Sequence, residues 1–277
     1  NPMSSSAVTL PSQPISFALE EAASTAELVT QEIGGNVTMS RALAESAHGL
    51  TLNESRVMML AMRCINPRHS PYQYAKATEY VKVRVTAAEF GKLANLLPDA
   101  KGYTNRAAYD GLKAACEKLY ERSITWKDGK KIKKSRWVFA SVYHADEAWA
   151  EISFAPTLTP HLFMLNERFV RYRLEFARGL RSIYSTSLLR LLMTQKDTRF
   201  KSISLEDFRL AMDVPENYRY ADIKRYCITA AVKELNDKAD IHIEWSETKK
   251  SRAVTSLQFH FTFVKTDGTR QAQLDLE

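Results

Sequence analysis

The sequence predicts an α+β fold built from two tandem winged-helix units, each a helix-turn-helix followed by a hairpin. Residues 218–263 read as helix, strand, basic turn and strand. The same order of elements can be traced earlier in the chain, between residues 51 and 143. Basic charge is also gathered rather than spread: residues 101–136 carry eleven Lys/Arg against four Asp/Glu, residues 168–201 nine against two, and the first sixty residues two against six. Within a formal net charge of +7, such segregation fits a polyanionic partner.

The second unit is the better defined. From Tyr220 to Asn236, Ile223, Cys227, Ala230, Ala231, Val232 and Leu235 recur at helical spacing. Arg219, Tyr220, Lys224, Arg225 and Lys233 are left off that stripe, mostly towards its start. Ile241, Ile243 and Trp245 then alternate with polar residues, Lys249, Lys250 and Arg252 fill a turn, and Val254–Phe263 alternates again. Upstream, Ser204 and Asp207 open a short helix with the Ser-x-x-acid pattern of a capping box. In such a unit the second helix enters a major groove while the hairpin reaches the phosphates.

In the first unit, Thr51 and Glu54 form another capping box before a helix that buries Val57, Leu60, Ala61 and Cys64. Pro67–Pro71 breaks it, and Tyr80–Val85 alternates as a strand. Thr86 and Glu89 cap a short helix through Leu97, Pro98–Tyr103 turns the chain, and Thr104–Leu119 is a longer helix. Ile124–Trp126 reads as a strand, KDGKKIKKSR as a basic turn around Asp128-Gly129, and Trp137–Tyr143 as the return strand. Both wings are thus expected to be basic. Between the units lie a strand, Trp149–Phe154, and a short helix from Thr159-Pro160. The arginine-rich RFVRYRLEFARGLRS is expected to join the units, either as a solvated linker helix or as a connector tracking phosphates. The division expected is a mobile arm over 1–34, a first winged-helix domain over 35–167, a second over 168–265, and a tail over 266–277.

Several functions are set aside on residue grounds. The six histidines form no His-x-His pair of the kind that holds a metal beside a DNA-cutting tyrosine. His242-Ile-Glu244 mimics the first half of a zinc-deaminase motif, but its Pro-Cys-x-x-Cys half is absent. No GxxxxGK[ST] loop occurs, and Glu20-Glu21 and Glu206-Asp207 converge on no recognisable site. No enzymatic activity, metal or cofactor is expected. Cys64, Cys116 and Cys227 lie apart at apolar helical positions, as buried free thiols of a reducing compartment would. With no apolar run near the ~20 residues of a membrane span and no basic segment leading an apolar one, the chain is expected to be soluble and cytoplasmic, without a membrane partner.

Three segments carry a family resemblance. They are LTLNESRVMMLAMRCINP, LNERFVRYRLEF, and ADIKRYCITAAVKELN followed by IHIEWSETKKSRAVTSLQFHF. Together they resemble the iteron-binding plasmid replication initiators of the RepA/RepE/π type, over residues 36–265. The resemblance implies two DNA-contacting winged-helix domains that bind direct repeats in double-stranded origin DNA as monomers. It implies dimers, joined through the first domain, that bind an inverted repeat and repress the chain's own gene. It also implies contacts with the host replication initiator and replicative helicase, and a bacterial, plasmid-borne setting.

Carried onto this sequence, the resemblance assigns Lys224 and Arg225, with Tyr226, to the recognition helix of the second domain. Arg219, Lys249, Lys250 and Arg252 become phosphate contacts. In the first domain it assigns Asn105, Arg106, Tyr109 and Lys113 to the helix, and Lys130, Lys131, Lys133 and Lys134 to the wing. Lysine is a flexible point charge, so that wing favours the backbone over the bases. Two other classes stay open: a tandem winged-helix transcription repressor without a replication role, and a basic scaffold for an acidic protein partner.

Overall fold

The computed structural model describes residues 34–69, 81–98, 104–165 and 169–264. The expected tail, the arm up to residue 33, residues 70–71 of the break expected at Pro67–Pro71 and residues 99–103 of the one at Pro98–Tyr103 lie outside them.

Two three-stranded antiparallel sheets set the architecture. In the first half, helix α2 (Leu52–Arg63) leads to β2 (Lys82–Thr86), α3 (Ala87–Ala94) and α4 (Arg106–Leu119), and β5 (Val138–His144) and β6 (Trp149–Phe154) complete a sheet of order β2-β6-β5. In the second, α6 (Ile183–Met193) leads to β8 (Phe200–Ser204), α7 (Leu205–Ala211) and a helical rod over 220–238, here α8. There β9 (Ile241–Lys250) and β10 (Ala253–Phe263) complete the order β8-β10-β9. The two orders agree strand for strand, so both halves are winged helices. The capping boxes expected at Thr51/Glu54 and Thr86/Glu89 are both formed, and Ser204 Oγ accepts from the Asp207 amide at 3.0 Å.

This topology corrects the reading of the first wing. The strand after the basic segment, β5, pairs with β6, and β6 is the central strand of the sheet rather than a piece between units. The topological counterpart of β9–β10 is therefore β5–β6, whose tip at 145–148 carries exposed Asp146 and Glu147 and is not basic. The lysines sit on a separate two-stranded hairpin, β3 (Ser123–Asp128) and β4 (Lys131–Arg136), inserted after α4. Its turn falls at Gly129, whose φ of +61° suits a two-residue loop. KIKKSR is thus a strand, not a turn; likewise Lys249 and Lys250 end β9, and only Ser251 and Arg252 form the second tip.

The arginine-rich segment is not a linker helix. Residues Phe169–Arg173 form β7, which pairs antiparallel with β1 (Asn36–Ser40), and a 3-10 turn follows at Leu174–Ala177. Val170, Tyr172, Leu174 and Phe176 are buried, because the segment alternates apolar and polar residues and half of it joins the core. The strand lies beyond residue 167 yet pairs with the start of the chain's first half.

Short helices α1 (Arg41–Ala44) and α5 (Thr159–Leu162) flank that pair. Helix α6 packs on both α8 and α2. Its Arg190 is buried and donates to Ala44 O (3.0 Å), Ser46 O (3.3 Å) and Ala211 O (2.9 Å), linking the two halves. Burial lowers that guanidinium to about 10, so it stays charged at neutral pH. A cleft nearby is lined by Lys127 and Asp207, which pair at 2.7 Å, and by Lys201 and Glu45. Cys116 and Cys227 are buried as expected, whereas Cys64, one residue past the end of α2, is exposed. No described helix is long and apolar enough to cross a membrane.

Candidate nucleic-acid interface

Helix α8 is α-helical over Tyr220–Asp222, π-helical over Ile223–Thr229 and α-helical again over Ala230–Lys238. Ile223, Cys227, Ile228, Ala231, Val232 and Leu235 face the core. The widened π turn carries Lys224, Arg225 and Tyr226 outward in succession, between buried Ile223 and Cys227. Arg225 lies over the Tyr226 ring at 5.1 Å, and Tyr226 approaches Tyr218 at 6.1 Å between ring centroids. Arg219 is exposed at the helix start, where its amide donates to Asp222 Oδ2 at 3.0 Å.

The wing meets this helix through a residue not assigned from the sequence. Glu247 lies on β9, on the same face as Ile241, Ile243 and Trp245. It accepts from the Tyr220 hydroxyl and from Lys224 Nζ (3.2 Å), and pairs with Lys249 Nζ (3.0 Å). The Tyr220 and Lys249 hydrogen bonds hold its carboxyl at about 2, so it remains an anion. Lys224 also sits 5.5 Å from the centre of the Trp245 ring. Glu247 thereby joins three groups of the basic face, while Lys250 and Arg252 are exposed further out on the wing. The signal that could have revealed it is the period of two: Trp245, Glu247 and Lys249 follow Ile241 and Ile243 on one side of the strand.

The first-domain residues divide into two groups. Asn105, Arg106, Tyr109 and Lys113 line one open groove of about 610 Å³ along α4, together with Tyr143 of β5, which was not anticipated. Asn105 is also the N-cap of α4, its Oδ1 accepting from the Ala107 amide at 2.9 Å, and Arg106 pairs with Asp110 at 3.2 Å. Helix α4 sits close on α3 because position 111 is glycine: a Cβ there would lie 2.8 Å from Phe90 Cε1. Lys130, Lys131, Lys133 and Lys134 do not line this groove; all four are exposed on the β3–β4 hairpin.

Two residues near the end of α8 are structural. In the KELN run, Glu234 accepts from the amides of Arg181 (2.8 Å) and Ser182 (3.1 Å) and from Ser185 Oγ (2.6 Å) at the start of α6. Asn236 makes two hydrogen bonds with the backbone of Ile243. His242 and Glu244 are exposed on β9, one on each side of buried Ile243, on the solvent face of the strand.

Residues 36–193 match the family model described as Initiator Replication protein, WH1, and residues 204–261 match Initiator Rep protein, WH2. Among solved structures, the chain is similar to the crystal structure of Pi initiator protein in complex with iteron DNA. That match has 19% identity and a TM-score of 0.68, and it covers 86% of this chain and 100% of that one. At that identity the likeness speaks to the fold. A second similar structure is the WH1 domain of MSBI1.176, a replication protein isolated from a multiple sclerosis patient. It is 28% identical, over 40% of this chain and 77% of that one, with a TM-score of 0.27.

Proposed function

This chain belongs to the initiator replication protein family and carries its WH1 and WH2 domains, and from that premise we propose that it starts plasmid replication by binding direct repeats in double-stranded origin DNA. The observation that carries the reading is the outward run Lys224–Arg225–Tyr226 on α8, beside a wing ending in Lys249, Lys250 and Arg252. A cationic and aromatic helix face next to a cationic hairpin is the arrangement that reads bases and grips phosphates at once.

The roles follow from the chemistry of each group. Arg225 has the planar donor fork that pairs with guanine in the major groove. Lys224 and Tyr226 flank it, and Arg219, Lys249, Lys250 and Arg252 neutralise phosphates. Helix α4 enters a second groove segment through Arg106, Tyr109 and Lys113, with Asn105 at its start. Lys130, Lys131, Lys133 and Lys134 add attraction to the backbone that is independent of sequence. The chain acts by binding, in a bacterial cytoplasm, and calls on the host replication initiator and helicase to open the origin.

The first domain also supplies the dimer that represses the chain's own gene. In support, β5 is an edge strand of its sheet, and its Phe139 and Val142 are 50% and 46% exposed.

Fluorescence anisotropy tests the reading, using duplexes from upstream of the chain's own coding sequence against scrambled duplexes across a salt series. A preference for a repeated element of ~20 bp with a steep salt slope is expected. Salt-sensitive binding without preference would refute it in favour of a basic scaffold. Sites that form only an inverted repeat, with no direct repeats at an origin, would favour a repressor.

Two substitutions divide the roles. Arg225→Ala should weaken binding to the repeat by roughly 1–3 kcal/mol and relax base preference. Equal losses on repeat and scrambled DNA would remove Arg225 from base reading. Lys131→Ala should weaken both duplexes alike and reduce the salt slope by about one. An unchanged slope would strike Lys131 from the phosphate contacts.

A further inference from the structure

A carboxylate in the middle of a DNA-binding face is electrostatically costly, since it repels the phosphates that its neighbours attract. Glu247 occupies that position, bridging the recognition helix (Tyr220, Lys224) and the wing (Lys249). Resting on the DNA-binding reading above, we propose that Glu247 is a positioning residue that sets sequence specificity by holding Lys224 and Lys249 away from indiscriminate phosphate contact.

The argument is one of competition. Lysine is a flexible point charge on a long stem, and left alone it finds the nearest phosphate of any duplex. Here Lys224 is confined three ways: by Glu247 Oε2 at 3.2 Å, by the Trp245 ring at 5.5 Å, and by its own helix. Lys249 is confined by Glu247 Oε1 at 3.0 Å. Both oxygens of one carboxylate are used, one towards the helix and one along the wing, so the two elements present their cations as a fixed pair. The side chain of Glu247 is 20% exposed but Lys224 and Lys249 are 48% and 54% exposed, so the two pairs act at low salt and are screened as salt rises.

On a duplex whose bases match, Arg225 and its neighbours draw the helix into the groove, and Lys249 meets its phosphate from the paired position, spending a second N–H donor without leaving Glu247. On any other duplex, phosphate contact by Lys224 or Lys249 must first break an ion pair and bring DNA towards a fixed negative charge. The penalty falls on the wrong DNA more than on the right one, which is how specificity arises from a repulsive element.

The test is Glu247→Gln, a near-isosteric change that keeps an acceptor for Tyr220 but removes the charge. Binding of the full chain is measured by anisotropy on the repeat-containing upstream duplex and on its scrambled counterpart, from low to high salt. Scrambled-duplex affinity at low salt should rise on the order of fivefold, and its salt slope should steepen by about one to two, as freed lysines take up phosphates. Repeat affinity should change less, so the ratio between the duplexes falls. Glu247→Asp, which keeps the charge, should retain most of the wild-type slope and ratio.

A merely structural Glu247 would lower thermal stability and weaken both duplexes together, with the ratio preserved; that result overturns the proposal. An unchanged ratio and slope in Glu247→Gln overturns it too. If the wild-type chain itself shows no preference for the repeat, the DNA-binding reading has failed first, and the two failures are told apart by that control.

Discussion

Replacing Arg190 by alanine should destabilise the fold by roughly 3–5 kcal/mol and loosen the first domain from the second. The guanidinium is buried in α6 and donates to three main-chain carbonyls, at Ala44 and Ser46 in one half and Ala211 in the other. Alanine removes the stem as well as the donors, leaving a cavity and three buried acceptors deprived of a charged partner. For a domain pair of this size, thermal unfolding should shift down by roughly 10 °C. Lysine at the same place keeps the charge but lacks the fork, and it should recover less than half of the loss. Urea unfolding of the two variants beside wild type measures this. A loss under about 1 kcal/mol for alanine would mean that water or a shift of α6 serves the carbonyls equally well.

Arg190 also marks a limit of sequence reading. It stands in an apolar helix, and its partners lie 21 and about 145 positions away, so nothing local announces its role. The elements that could be read were those with local causes. The Thr51/Glu54 and Thr86/Glu89 boxes form because three-residue spacing suffices for their bonds. The outward face of α8 could be read for the same reason, as a polar gap in a helical stripe.

The misreading of the first wing has the opposite cause. Asp128-Gly129 with a lysine-rich flank is locally indistinguishable from a winged-helix tip. What decides the matter is that β6, not β4, pairs with β2, a contact between residues about 65 positions apart. The arginine-rich segment is a different error. Val170 and Tyr172 mark a strand at a period of two, which Leu174 and Phe176 continue into the 3-10 turn, and the arginines between them fit a solvated helix equally well.

At the candidate site, the cations were readable and their arrangement was not. Glu247 joins the candidate interface because α8 packs over β9; it lies 23 positions from Lys224, in a different element, where neither the helical nor the strand period links the two.

Glu234→Ala is the second large effect to expect, about 2–4 kcal/mol at neutral pH. This residue lies on α8, beyond the π turn, yet it acts on α6: its carboxylate accepts the two amides and the serine hydroxyl that open that helix, and Lys238 pairs with it at 2.6 Å. An anion at a helix N-terminus is favoured by the helix dipole as well as by those bonds. Burial pushes the Glu234 carboxyl up, but the bonds from Lys238, Ser185 and Arg181 outweigh it, and the group titrates below its ordinary 4.5. A carboxylate whose folded value is depressed stabilises above its unfolded value and loses that contribution as pH falls through the folded one. The gap between wild type and Glu234→Ala in urea unfolding should therefore be full at pH 7 and close progressively below pH 4.5. Because α6 supports the underside of α8, the variant should also weaken repeat and scrambled DNA binding in proportion at temperatures near its own unfolding, and not at lower ones. A gap that stayed constant from pH 7 to pH 3 would mean that side-chain packing, and not the charged cap, is what Glu234 contributes.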